Sequence, residues 1–162
     1  MTSISSALRI IGIGNDFRGD DGVGVFVARQ LRGQLPPGVS VLEETGEGGA
    51  LLEAWKGAAS VILIDAVRSG ADPGTFYRLD VLAERLPSEF FPQSSHAFGV
   101  AEAVELARAL NQLPPRLVLY GIEGDSFAAG VGLSPTVAQS AAKVAAELLA
   151  EVRCGTQERA HS

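Results

Sequence analysis

Ser60-Val61-Ile62-Leu63-Ile64-Asp65-Ala66 is an unbroken apolar run, rich in β-branched residues, that closes on an aspartate. A strand with one wet face alternates apolar and polar residues. A run that is apolar throughout must be covered on both faces, as strands of a parallel sheet are when helices flank it. Working outward, Leu8-Arg9-Ile10-Ile11-Gly12-Ile13-Gly14 reads as a second buried strand ending in glycines. Val39 to Glu43 and Arg116 to Ile122 read as two more, and Thr75 to Leu79, behind the turn signal Pro73-Gly74, as a further strand at an edge or antiparallel.

Helical spacing fills the intervals. Val23, Val27 and Leu31 place a helix over 23–35, stopped by Pro36-Pro37-Gly38. A short helix runs through Leu51, Leu52 and Trp55 after the glycine-rich Gly46-Glu47-Gly48-Gly49, and Val100 to Leu110 is amphipathic. Ser134-Pro135 reads as an N-cap followed by proline at the first helical position, opening an Ala-rich helix to about Val152. Residues 81–95, with Pro87, Pro92 and several serines, read as a loop with at most one helical turn. The alternation predicts a three-layer α/β/α domain with a twisted, mostly parallel sheet. One domain is expected over 1–153, with 154–162 a frayed tail.

Composition narrows the function classes. The chain has 162 residues, 46% of them hydrophobic, and a formal net charge of -6. No Lys/Arg run supplies the basic footprint that nucleic acid or an anionic membrane demands. The only cysteine, Cys154, excludes an intramolecular disulfide and a thiolate metal cluster within one chain. Met1 to Ala7 is polar and too short for a signal h-region, and no apolar run approaches a membrane span. A cytoplasmic protein without membrane insertion or a nucleic-acid partner is the expectation.

The loop Gly12-Ile13-Gly14-Asn15-Asp16-Phe17-Arg18-Gly19-Asp20-Asp21-Gly22 fails both common phosphate motifs. The dinucleotide fingerprint wants glycine where Phe17 stands, and the P-loop wants Lys-Ser/Thr where Asp20 and Asp21 stand. Three aspartates repel phosphate but suit a cation or proton transfer. Asp20 and Asp21 can equally be helix caps before Gly22-Val23. Asp65 closes its strand at the carboxyl edge, where open α/β sheets bind ligands, although it can also be an ordinary loop-start aspartate. His96, just before a helix, can be structural; His161 lies in the tail. Brought together, Asp21, Asp65 and His96 would offer two carboxylates and one imidazole with positions left open to a substrate, a set compatible with nickel or zinc. No H-E-x-x-H helix and no G-x-S-x-G elbow occurs, and Ser95 has no base other than His96.

Gly12-Ile13-Gly14-Asn15 with Asp20-Asp21-Gly22-Val23-Gly24 resembles the opening signature of the hydrogenase maturation endopeptidases. In the same order follow Ile64-Asp65-Ala66, Pro73-Gly74-Thr75, Ser95-His96 with Phe98-Gly99, Gly121-Ile122-Glu123 and Gly132-Leu133-Ser134-Pro135, spanning residues 9 to about 150. The resemblance implies a five-stranded sheet of the phosphorylase/hydrolase-like kind. It also implies an endopeptidase that removes the C-terminal extension of the [NiFe] hydrogenase large-subunit precursor after nickel insertion. The family's metal-contacting residues fall on Asp21 (a Glu in some members), Asp65 and His96, which are thus both the catalytic and the metal-binding candidates. Nickel is expected to arrive with the precursor rather than to reside in the enzyme, and hydrolysis to be aspartic-type or metal-assisted. Many relatives have Gly-Gly-Thr where this chain has Thr45-Gly46-Glu47-Gly48-Gly49, and no role is carried over to Glu47, Glu123 or Asp16. The competing readings are a non-catalytic nickel-site-binding assembly factor and a peptidase of another precursor on the same fold.

Overall fold

The computed structural model describes residues 8–87, 90–91 and 97–161, with side chains to Cys154. Five strands form one sheet: β1 (Leu8–Ile13), β2 (Val39–Glu44), β3 (Ser60–Val67), β4 (Phe76–Asp80) and β5 (Arg116–Glu123), in the order β2-β1-β3-β5-β4. Neighbours are parallel except β4, which runs antiparallel to β5. The strand expected over Thr75 to Leu79, at an edge or antiparallel, is β4, and it is both.

The pleat explains why β3 is apolar at every position. Ile62 and Ile64 face one core with Ile10, Val118, Tyr120 and Ile122, covered by α1 (Val23–Leu31) and α4 (Pro135–His161). Val61 and Leu63 face a second core with Ile11, Ile13, Leu117 and Leu119, covered by α2 (Gly48–Trp55) and α3 (Val100–Ala109). Each such buried side chain contributes about 1.5–3 kcal/mol of transfer free energy, so slipping β3 by one residue would exchange the two cores wholesale. The three-layer α/β/α expectation holds.

Two helix ends differ from the sequence reading. The helix expected over 23–35 stops at Leu31: Arg32 is already extended at φ -60° and ψ 135°, Gly33 follows at φ 82°, and the Gln34 amide closes the turn on the Leu31 carbonyl at 3.1 Å. The last helix, expected to end near Val152, continues to His161. Residues 153–161 include helix formers such as Arg, Gln, Glu and Ala, with Gly155 the weak point. In the 81–95 segment, Phe90 is buried, stacks on Tyr77 at 5.1 Å between ring centroids, and accepts the Arg68 amide at 3.0 Å. No helix among the described residues is long and apolar enough to cross a membrane.

Candidate active site

The site is built where the first loop meets the end of β3. In register, Gly12 pairs with Ile64, so Asp65 lies one residue beyond the β1–β3 ladder, opposite Gly121 of β5. The loop after β1 must come back over this edge closely. Gly24, in the first turn of α1, allows it: a Cβ there would collide with the carbonyl oxygens of Ile64 and Ile13. Gly14 takes φ 145°, and a Cβ there would overlap the Asp21 carbonyl. The 3-10 turn Gly19–Gly22, which carries both acids, therefore sits directly on the strand ends.

Asp21 and Asp65 are brought together. Asp21 is half-buried and accepts the Asn15 amide on Oδ2 at 3.1 Å. Asp65 is 6% exposed, and its Oδ1 accepts the neighbouring Ala66 amide at 2.8 Å. Burial, with the charge of Asp21 added, holds the Asp65 carboxyl well above the usual carboxylate range, only partly opposed by the Ala66 bond. Two carboxylates in unequal surroundings can divide acid and base roles, or share a cation that removes their repulsion. His96, the third residue of the expected set, lies outside the described residues. Its flank does not: the carbonyl of Phe98 accepts the Gly48 amide at 2.7 Å, and a Cβ on Gly48 would strike the Phe98 ring. The glycine-rich loop before α2 thus packs against the segment leading away from His96. Among the described residues alone, no three His, Cys, Asp or Glu side chains are grouped to hold a metal.

Asp20 is not a helix cap. Its carboxylate is fully buried and receives the amides of Asp125 at 2.8 Å, Ser126 at 2.9 Å and Ser134 at 2.7 Å, with the Ser134 hydroxyl at 2.8 Å. Burial alone would raise its pKa, but these four bonds outweigh it and hold the carboxyl below its ordinary value. Asp20 therefore fastens the β5–α4 loop to the acid-bearing turn. The same bond redirects Ser134: its carbonyl accepts the first α4 bond from Ala138 at 2.8 Å, as an N-cap residue should, while its hydroxyl donates to Asp20.

Three further acids, Glu123, Glu47 and Asp16, also have structural partners. Glu123, 2% exposed at the end of β5, accepts the Ser69 amide at 3.0 Å and its hydroxyl at 2.6 Å, clamping the start of the β3–β4 connection. Glu47 caps α2 through the amides of Gly49 and Ala50, each at 2.9 Å. Asp16 pairs with Arg29 at 2.9 Å, and Arg29 also holds Glu43. Of these roles only the Glu47 cap has a local sequence signal, an acid just before a helical run. The bonds of Asp20 span 105 to 114 residues and leave no periodicity to read.

The family model described as hydrogenase maturation protease matches residues 25–151. The chain belongs to the hydrogenase maturation protease family. Its relatives include the hydrogenase 2 maturation protease of Escherichia coli K12, 29% identical over 148 residues and covering 89% of each chain. The hydrogenase expression/formation protein HupD of Thiocapsa roseopersicina is 30% identical over 152 residues, covering 88% of this chain and 67% of that one. Among solved structures, the E. coli maturating endopeptidase HybD superposes with a TM-score of 0.74 at 26% identity, over 91% of this chain and 93% of that one. The [NiFe] hydrogenase maturation protease HycI of Thermococcus kodakarensis gives 0.70 at 27% identity with the same coverage. The five-stranded fold is thus that of the maturation proteases, and the matched span contains Asp65 and position 96, with Asp21 just ahead of it.

Proposed function

We propose that this maturation protease cleaves the C-terminal extension from a [NiFe] hydrogenase large-subunit precursor, and does so after nickel has been inserted. Asp21, Asp65 and His96 are the residues we assign to contact with nickel, which comes as part of the substrate. The observation that carries this reading is the pair Asp21–Asp65, two acids set together at the carboxyl edge with the buried one reluctant to ionise.

The pair supplies a reason for cleavage to wait for the metal. Without a cation nearby, burial and the charge of Asp21 disfavour ionisation of Asp65, so the pair resists presenting two charged carboxylates. A nickel ion presented by the precursor would offset that repulsion and favour the ionised form of Asp65, so that both carboxylates can bind. The precursor is then fixed with its peptide bond beside a carboxylate. That carboxylate takes a proton from the attacking water as the water oxygen bonds to the scissile carbonyl carbon. The proton passes to the leaving amine as the C–N bond breaks. A protein partner in the cytoplasm is part of this proposal, supported by a sequence without a Lys/Arg run and with a single cysteine.

Incubation of the purified protein with nickel-loaded and nickel-free precursor, followed by mass spectrometry, tests the proposal. Loss of the mass of the extension from the loaded precursor only is the expected result. Binding without mass loss would instead make the protein an assembly factor. Equal cleavage of both precursors would remove the nickel gate. Stoichiometric metal in the isolated enzyme, with cleavage lost on stripping it, would overturn the substrate-borne assignment. Asp21→Asn should abolish processing while leaving the fold intact.

A further inference from the structure

The two most exposed large hydrophobic side chains among the described residues are Phe17, 68% exposed, and Val131, 81% exposed. They lie far apart in sequence but on segments joined by backbone. A parallel bridge pairs Arg18 with Gly130, the Gly130 amide donates to the Phe17 carbonyl at 2.9 Å, and the Gly19 amide donates to the Gly130 carbonyl at 2.9 Å. Each apolar residue is one position from that bridge. From Ser126 to Val137 the chain has no charged residue, and Ala128 and Ala129 are exposed alongside. The result is a ridge whose 126–137 side is uncharged and whose other side carries Arg18 beside Phe17, in a chain of net charge -6.

The ridge is continuous with the candidate active site. The Phe17 amide donates to Asn15 Oδ1 at 2.9 Å, and the Asn15 amide donates to Asp21 Oδ2 at 3.1 Å, so one asparagine ties the ridge to the acid. The Asp20 amide adds a bond to the Ser126 carbonyl at 2.9 Å, and its carboxylate holds both ends of the 125–134 loop. Such a surface is ordered before anything binds to it, so little conformational entropy remains to be lost on binding.

We infer that the Phe17–Val131 ridge seats an apolar, extended stretch of the precursor beside the bond to be cut. This deepens the function proposed above and rests on it. A peptide that presents its bond to Asp21 must run close to Phe17 on the same loop. A second copy of this chain is a poorer occupant, since each copy carries a net charge of -6 and like charges meeting across an interface are costly.

Phe17→Ser and Val131→Ser test the inference against the purified large-subunit precursor. Two readings are taken: the affinity for nickel-free precursor by biolayer interferometry, and kcat/KM on nickel-loaded precursor. Each variant is expected to lose tenfold or more in both, with Phe17→Leu restoring most of the loss and with Tm and sedimentation mass unchanged. Wild-type values in both serine variants would overturn the ridge while leaving the proposed protease standing. If the wild type binds precursor through the ridge but cuts neither form, the protease reading fails and the ridge survives. A loss that tracks a change in sedimentation mass assigns the ridge to self-association and refutes the inference.

Discussion

Replacing Asp20 by alanine removes the one carboxylate that joins the acid-bearing turn to the β5–α4 loop. Its four bonds go to a charged acceptor, worth roughly 1.5–3 kcal/mol each in isolation. They are not additive, and burying the charge already costs several kcal/mol. Two of the donors, on Asp125 and Ser126, belong to exposed residues that water can satisfy once the carboxylate is gone. The Ser134 amide is less accessible. The net loss should be about 2–4 kcal/mol, because the Ser134 amide and hydroxyl are left as unmet neutral donors, at about 1–3 kcal/mol for each unsatisfied buried group. For a domain of this size that lowers Tm by roughly 10 °C. Asp20→Asn should fall between, because one oxygen remains for the three Oδ2 donors while its new NH2 faces the Ser134 amide. Urea unfolding followed by fluorescence reads this directly, since Trp55 is the chain's one tryptophan and is buried in the second core. The effect has a pH signature. The native Asp20 carboxyl lies below its ordinary 3.8, so its contribution is present above that value and is lost as pH falls through the native pKa. A gap between wild type and Asp20→Ala smaller than about 1 kcal/mol at pH 7, or one that does not narrow in acid below the ordinary value, would refute the fastening role.

Asp65→Asn should behave in the opposite sense. With the native pKa well above the ordinary 3.8, the unfolded chain ionises first, so wild-type stability falls as pH rises through that window and stays lowered above it. The Asn protein should therefore melt higher than wild type at pH 7, with the difference closing below the ordinary value, while processing is abolished; differential scanning calorimetry across pH decides it. Gly24→Ala drives a methyl into two backbone carbonyls and should cost about 3 kcal/mol by urea titration, with a fall in processing as the acid turn is lifted off β3. Glu151→Ala leaves the buried Tyr120 hydroxyl without its 2.8 Å partner and releases Arg78 and Arg116. Because the two ion pairs are partly exposed, the expected loss is about 1–2 kcal/mol, reduced at high salt.

The strands were legible because burial on both faces writes itself into sequence as continuous apolar character. β3 and β5 show it, and even the antiparallel edge strand was marked by its Pro73-Gly74 turn. Asp65 was legible for the same reason: it interrupts such a run at its carboxyl end. Asp21 needed the loop around it, read against phosphate motifs that it fails. What was not legible is how the loops are held. Asp20, identical in kind to Asp21 and adjacent to it, turns the other way and satisfies amides over a hundred residues on. Nothing in a local window distinguishes the two. The Ser134 reading failed in half its detail for the same cause, since a tertiary acceptor captured the hydroxyl. The helix end at Leu31 missed its expected place because propensity is a weak prior beside turn geometry, and the end at His161 because the helix formers after Gly155 carry the helix on.

The Asp20 fastening also sets an order of events during synthesis. The turn that bears Asp21 leaves the ribosome early, but the amides that shape it belong to residues 125, 126 and 134 and emerge only when most of the chain has been made. Until then the nascent protein has its acids but no frame to hold them. A protease assembled this way acquires the frame of its acid-bearing turn only once residue 134 has been made.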